Sequence, residues 1–337
     1  MIKTLIHSLA WRSERIVDRL RGQRDKRRII EPYIGYATPG HVVVRGRVLA
    51  ALRRNRPVAT QSRWLNFRQM LSLFLTDEVA AVEVQAEGQR TMTDEEGYFT
   101  LALPMLAVPG WREVPVRLTG RDVSAVCPVL VPPADAKIGI ISDIDDTMLQ
   151  TGAYSLVRNL WTSLTGNALT RRIFPDAITF IETLRDGGRT PVYYVSSSPW
   201  NLHYFLTDIF ERSGLAKGPL FLRDLGISPS QFVSGTHGDH KGSAIDTLMA
   251  ANPRMRFVLV GDTGQHDAEV YRDAIARHPG RVAAVVLREP GPGPDDVSRA
   301  AINTIEATGT TVLHAPDFSG FAEQLRTELM VEDGAAD

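Results

Sequence analysis

At 337 residues, 43% hydrophobic and 23% charged, the chain has the composition of a globular protein of two or three domains. That excludes a mostly disordered, collagen-like or disulfide-scaffold protein. The net charge of -1 supplies no global field toward nucleic acid or membrane, so any such attraction is local, and no nucleic-acid partner is expected.

The single cysteine, Cys127, cannot form an internal disulfide and fits a reducing, cytoplasmic setting. Its apolar neighbours Val126, Val129 and Leu130 mark a buried, inert thiol. No stretch reaches the roughly 18 apolar residues of a transmembrane helix. The apolar start is broken by Trp11, Arg12 and Glu14, without the cleavage pattern of a secretory signal.

Residues 1–40 read as a basic amphipathic segment. Its first 28 residues carry nine Lys/Arg against Glu14, Asp18 and Asp25, a local charge of +6. Leu5, Leu9, Ile16 and Leu20 follow a loose helical spacing. Such a helix suits an anionic membrane surface, and it equally suits the protein's own acidic surface or a frayed tail.

Residues 41–134 read as a small β-sandwich. The apolar run from His41 to Leu49, the alternating Val82 and Val84, the turn Asp94–Gly97 before Tyr98, Val114–Leu118 and Val126–Val131 are strands with no helices between them. The turn pattern is loosely similar to transthyretin-like or carboxypeptidase-regulatory-like sandwiches, and the domain is a candidate for a protein partner. The insert 62–75 is apolar at helical spacing and reads as a helix crossing the sandwich or as a partner or lipid contact.

Pro132 and Pro133 mark a boundary. From residue 135 to about 330 strands alternate with helices. Apolar runs at 137–142, 191–195, 219–222, 257–261 and 282–287 are buried strands, with 310–313 a further candidate. Helices are expected at 175–186, at 200–213 capped by Ser198, at 241–251 and at 268–278. That alternation predicts a parallel sheet covered on both faces. Residues 330–337 read as a frayed tail.

The chemistry sits where these strands end, which is where open α/β sheets bind ligands. Asp143, Asp145 and Asp146 follow the first strand directly. Carboxylates packed this closely repel one another, and a hard cation such as Mg2+ relieves that repulsion. An EF-hand is excluded, since its sixth position would be Met148 and its twelfth Tyr154. Asp262 follows another strand, with Asp267 five positions on. Ser196, Ser197 and Ser198 end a third strand at a helix N-terminus, a setting suited to phosphate. Lys241 opens a later helix, placed to neutralise a phosphate or a carboxylate. His237 and His240 have no third nitrogen or sulfur ligand nearby, so zinc is not expected. Neither a P-loop nor a dinucleotide fingerprint is present.

Taken in order, the segments DIDDT, YVSSSPWNL, HKGSAI and GDTGQHD resemble the haloacid dehalogenase (HAD) phosphatase superfamily. Within it they look like the actin-patch-associated phosphatidate phosphatase catalytic-domain family, over about residues 137–290. The resemblance implies an α/β, HAD-like Rossmannoid sheet and a Mg2+-dependent phosphatase that converts phosphatidate to diacylglycerol through an aspartyl-phosphate. Carried over residue by residue, it makes Asp143 the nucleophile and Asp145 the general acid and base. Thr147 steadies the loop, and Ser196 binds the phosphoryl oxygen, with Ser197 as the alternative register. Lys241 stabilises developing charge. Asp143, the Asp145 carbonyl and Asp262 hold the metal, with Asp267 as a supporting acid.

An alkoxide leaving group requires a general acid, and Asp145 meets that need. The spacing between motifs leaves no room for a large cap at either insertion point. An open site suits a headgroup in a bilayer or a phosphoprotein, and the apolar stretch 154–165 is a candidate flap. The expected enzyme is therefore a phosphatidate phosphatase, cytoplasmic or peripheral at a membrane. A phosphatase of another phospholipid, a phosphoprotein or a phosphorylated metabolite is the alternative, and an inert scaffold with a recruiting sandwich is the remaining one.

Overall fold

The computed structural model describes residues 28–50, 79–104, 108–150, 173–223, 237–291 and 293–335. The expected basic helix, the apolar insert at 62–75 and the flap at 154–165 lie outside the described residues.

Seven strands form the N-terminal region: β1 (Arg28–Ala37), β2 (His41–Ala50), β3 (Glu83–Ala86), β4 (Gln89–Met92), β5 (Tyr98–Pro104), β6 (Gly110–Leu118) and β7 (Ser124–Val131). The hydrogen bonding does not divide them into the two sheets of the expected sandwich. They make one continuous sheet in the order β4-β3-β6-β7-β1-β2-β5. All pairs are antiparallel except β1 with β7. The edge strands β4 and β5 are consecutive in the chain and lie beside each other, so the sheet curls around one core. Val44, Val84, Leu101, Leu103, Val114, Val116, Cys127 and Val129 fill that core. Burial pushes the Cys127 thiol up to about 12, which keeps it protonated and inert.

Strand β1 corrects the expected boundary at residue 40. Residues 28–37 are the strand between β7 and β2, not part of a basic segment. The charge run before it, with Glu31 and Pro32, masks the alternation of the buried Tyr33, Gly35 and Ala37. At Gly35 the register of β1 against β2 shifts. A Cβ there would lie 2.1 Å from the Val43 carbonyl oxygen, so the close approach of the strands requires glycine.

The second region carries β8 (Ile138–Ser142), α1 (Pro175–Arg185), β9 (Val192–Pro199), α2 (His203–Ser213), β10 (Leu220–Arg223), α3 (His237–Ala251), β11 (Arg256–Asp262), α4 (Asp267–Arg277), β12 (Val282–Arg288), α5 (Asp296–Glu306), β13 (Thr311–Ala315) and α6 (Phe321–Ala335). The six strands are all parallel, in the order β10-β9-β8-β11-β12-β13. Helix α6 runs to Ala335, so the expected tail is largely helix. Helix α5 was not expected; Asp295 caps it by accepting from the Ser298 amide at 2.8 Å.

Successive strand residues feed opposite cores. Ile140, Val258 and Val260 pack with α1, α2 and α6; Ile141, Phe257 and Leu259 pack with α3, α4 and α5. Chain order reverses direction between β8 and β11. In such sheets the crevice outside the carboxyl ends at that reversal is the ligand site.

Candidate active site

Strand β8 delivers Asp143 to this crevice, and β11 delivers Asp262 beside it. The Asp143 amide donates to the Val260 carbonyl at 2.7 Å, which extends the ladder and fixes the aspartate's backbone. The turn that follows closes tightly: the Met148 and Leu149 amides both donate to the Ile144 carbonyl. Asp146 takes a left-handed conformation (φ 56°) to make that turn. Thr147 Oγ1 donates to Asp143 Oδ2 at 3.0 Å, so the threonine locks the carboxylate.

Lys241, near the start of α3, is buried and reaches two carboxylates. Its Nζ lies 2.8 Å from Asp143 Oδ1 and also bonds Asp267 Oδ1. The other Asp267 oxygen accepts from the Asp262 amide at 3.2 Å. Both oxygens of Asp267 are thus engaged in placing Lys241 and the end of β11. Gly261 makes room for this, because a Cβ there would lie 2.6 Å from Asp267 Oδ2 and 2.7 Å from the Tyr271 hydroxyl.

Asp145 is held from another side. Its Oδ2 accepts from Ser196 Oγ at 2.9 Å and from Ser198 Oγ at 2.8 Å. The Ser198 amide in turn donates to Ser196 Oγ at 2.9 Å. Ser196 is the fully buried member of the triple; Ser197 is half-buried, and the bonds to Asp145 come from its two neighbours. Ser198 does not cap α2 as expected. Strand β9 runs on to Pro199, a single 3-10 turn (Trp200–Leu202) intervenes, and the serine side chain turns to Asp145 instead. The Asp145 carbonyl accepts from Gln265 Nε2 at 3.0 Å.

Asp143, Asp262 and Asp267 present one oxygen each within 4.8 Å of one another, all buried. Among the described residues, three carboxyls face one ammonium. Burial, with the neighbouring carboxylates adding to it, raises Asp143 to about 8 against the pull of Lys241. Burial and the Asp267 and Asp143 charges raise Asp262 to about 9. For Lys241 burial works against the charge, but the Asp143 and Asp267 carboxylates outweigh it and hold the ammonium protonated. Asp262 Oδ1 accepts from the Gly264 amide at 2.5 Å, whereas its Oδ2 is buried with no partner among the described residues. An orphaned carboxylate oxygen in an excess of buried negative charge fits a hard, oxygen-seeking cation.

The sequence reading missed Arg288. It ends β12 in register with Asp262 and is almost fully buried. Its Nε donates to the Thr147 carbonyl at 3.0 Å, one Nη to the Pro316 carbonyl at 3.0 Å, and the other to Asp176 Oδ2 at 2.6 Å. The rings of Phe174 and Phe318 lie 4.1 and 4.2 Å from the guanidinium carbon. The arginine therefore ties the acidic turn to the start of α1. The available signal was a charge closing an otherwise apolar strand, as at Asp143 and Asp262.

A six-stranded parallel sheet with Asp143, Asp145, Ser196, Lys241 and Asp262 converging at its switch point is the arrangement that the HAD resemblance implies. Residues 138–289 match the family model for the catalytic domain of phosphatidate phosphatase APP1. The phosphatidate phosphatase APP1 of Saccharomyces cerevisiae is 27% identical over 151 residues, 45% of this chain and 26% of that protein. An uncharacterized protein of Schizosaccharomyces pombe is 24% identical over 229 residues, 65% of this chain and 37% of its own. The chain thus spans well under half the length of these relatives. Among solved structures, the HAD domain of the Legionella pneumophila effector Lem4 has 13% identity and a TM-score of 0.32, covering 52% of this chain and 97% of that one.

Proposed function

We propose that the chain is a Mg2+-dependent phosphatidate phosphatase that works through an aspartyl-phosphate. The observation that carries the reaction class is the clamped Asp143 carboxylate, bonded by Thr147 on one oxygen and Lys241 on the other, with Asp145 two residues on. The similarity of residues 138–289 to the phosphatidate phosphatase catalytic domain supports the choice of substrate.

A nucleophile must be an oxygen of fixed direction, and Asp143 has one. It attacks phosphorus, the P–O bond to the glycerol oxygen breaks, and the phosphoryl group passes to the carboxylate. The departing alkoxide takes a proton from Asp145. Both serine hydroxyls bond the same Asp145 oxygen, so Oδ1 is the one left to carry that proton. Asp145 then accepts a proton from the water that attacks the aspartyl-phosphate, which releases phosphate and restores Asp143. Lys241 places a buried cation at the oxygen where charge shifts. Ser196, buried and bonded to Asp145, is the phosphoryl contact of the triple, with Ser197 the alternative.

Asp143, Asp262 and the Asp145 carbonyl would hold Mg2+, while Asp267 keeps Lys241 in place. The ion, when bound, supplies positive charge to a phosphoryl oxygen. The substrate is met at a membrane surface; no helix among the described residues is long and apolar enough to cross one.

Phosphate release from phosphatidate in mixed micelles, with and without Mg2+, tests this reading. Asp143→Asn is expected to lower turnover by about a thousandfold or more. Cleavage of an aryl phosphate through Asp143 while phosphatidate stays intact would remove the lipid and keep the phosphatase, in favour of a phosphoprotein or metabolite substrate. Absence of turnover on both substrates would remove the enzyme.

A further inference from the structure

The two regions meet at the serine turn. Trp200 follows Pro199 directly and stacks on Tyr33 of β1, with ring centroids 4.6 Å apart and planes 15° from parallel. The His203 ring, at the start of α2, lies 4.2 Å from the same tyrosine, and its Nδ1 is 3.9 Å from Glu31 Oε1. Arg45 of β2 donates to the Leu220 carbonyl of β10 at 3.2 Å and to the Ile34 carbonyl of its own sheet at 2.7 Å. Its guanidinium also lies 4.6 Å from the Phe221 ring and 5.5 Å from Trp200. Strand β10 is the edge of the parallel sheet next to β9. Tyr33 is almost fully buried by these contacts.

Serine hydroxyls steer a carboxylate only if their backbone is held. Strand β9 carries Ser196, Ser198 and Pro199 past the point where its β8 pairing ends at Tyr194. On its other side the pairing with β10 shifts register between Phe221 and Arg223. The ladder resumes only at Pro199, opposite Arg223, and β1 and β2 brace the turn from the N-terminal sheet.

We propose that the N-terminal sheet is a working part of the active site: through Tyr33, Arg45 and Trp200 it holds the serine turn where Ser196 and Ser198 bond Asp145. Trp200 is a positioning residue, acting through the two serines. The effect on turnover rests on the reading of Asp145 as general acid; the mechanical coupling does not.

The test uses the full chain with Arg45→Met, Trp200→Ala and the conservative Trp200→Phe. Amide hydrogen exchange over residues 192–203 should rise in the first two and stay near wild type in the third. Exchange over 282–288, remote from the contact, reports that each variant is folded. Turnover is compared on an alkyl and an aryl phosphate monoester, because an aryl oxide leaves with little help from an acid. Displacing Asp145 should lower kcat on the alkyl ester about tenfold more than on the aryl ester, with KM little changed.

Unchanged exchange over 192–203 in folded Arg45→Met and Trp200→Ala overturns the coupling. Equal losses on both esters overturn the positioning of Asp145. A wild type that cleaves neither ester, yet shows the exchange response, keeps the coupling and removes the proposed enzyme.

Discussion

In β5 of the N-terminal sheet buried and exposed residues alternate, whereas β12 of the parallel sheet is buried at every position. Alternation gives the first sheet an outward face, which carries Glu113, Arg117 and similar exposed side chains. Burial on both faces leaves the second sheet no side chain for chemistry except at its strand ends. There Asp143, Ser196, Asp262 and Arg288 all fall on one rim, because parallel strands end on the same side. Direction of pairing thus separates a region that supports a site from one that builds it. The serine turn is where the two meet.

The largest expected effect sharpens this contrast. Arg288→Met takes a cation from between two phenylalanine rings and leaves Asp176 Oδ2 and the Thr147 carbonyl without it. Removing one partner of a fully buried pair costs about 3–5 kcal/mol; Asp176 is part-exposed and keeps the Phe318 amide bond, so denaturant unfolding should show a loss at the low end of that range or below. At temperatures where the variant is folded, phosphate release should still fall, because the turn that clamps Asp143 has lost its tie to α1. A stability loss with full activity would show that the turn holds itself.

Two glycines then separate the regions. Gly35→Ala forces a Cβ against a strand backbone, and overpacking of this kind costs about 1–3 kcal/mol; Gly35 touches the site only at a distance, through neighbouring Tyr33, so turnover of the folded variant should fall less than in the second glycine variant. Gly261→Ala imposes a similar clash on Asp267 and Tyr271 and should lower both stability and turnover, since Asp267 places Lys241. Equal activity losses in the two would break the division between support and site.

The chemistry of the parallel region was legible because each motif follows an apolar run, and Asp143, Asp145, Ser196, Lys241 and Asp262 all fall within one site. Arg288 and Gln265 were not, because their partners (backbone carbonyls and, for Arg288, the Asp176 carboxylate) are distant in sequence and only the tertiary fold brings them near. In the N-terminal region alternation showed the strands, but nothing local separates one curled sheet from two packed ones, or pairs β1 with β7 across most of the domain. Helix α5 carried a readable pattern, Asp295 with Ala301, Ile302 and Ile305 at helical spacing, obscured by the Gly/Pro run before it.

Withholding the proposed Mg2+ should act on the rim alone. In the metal-free protein the folded state holds Asp143 near 8 and Asp262 near 9, above the usual carboxylate value of about 4. Between those values the folded state binds more protons than the unfolded one, so stability falls as pH rises. Each group contributes up to about 1.4 kcal/mol per pH unit while it stays protonated. Melting temperature measured in chelator should therefore drop from pH 5 to pH 8, and Mg2+ should flatten that slope. A slope that Mg2+ leaves unchanged would remove the carboxylate cluster as the metal site.

The smallest effect concerns how far support extends from the rim. Asp295 caps α5, whose Ser298 Oγ donates to the Thr263 carbonyl at 3.2 Å, next to Asp262. The Ser298 hydrogen bonds hold the Asp295 carboxyl below its usual value, so the cap is present at neutral pH and is lost as acid protonates it. Losing such a cap costs about 1 kcal/mol. Asp295→Ala should show that loss at pH 7 and a smaller one at pH 3. Turnover should stay within about twofold of wild type, because the Thr263 amide keeps its bond to the Arg288 carbonyl. A larger fall in turnover would mean that α5 positions Asp262 directly, and the site would then extend beyond the strand ends into the helices that cover them.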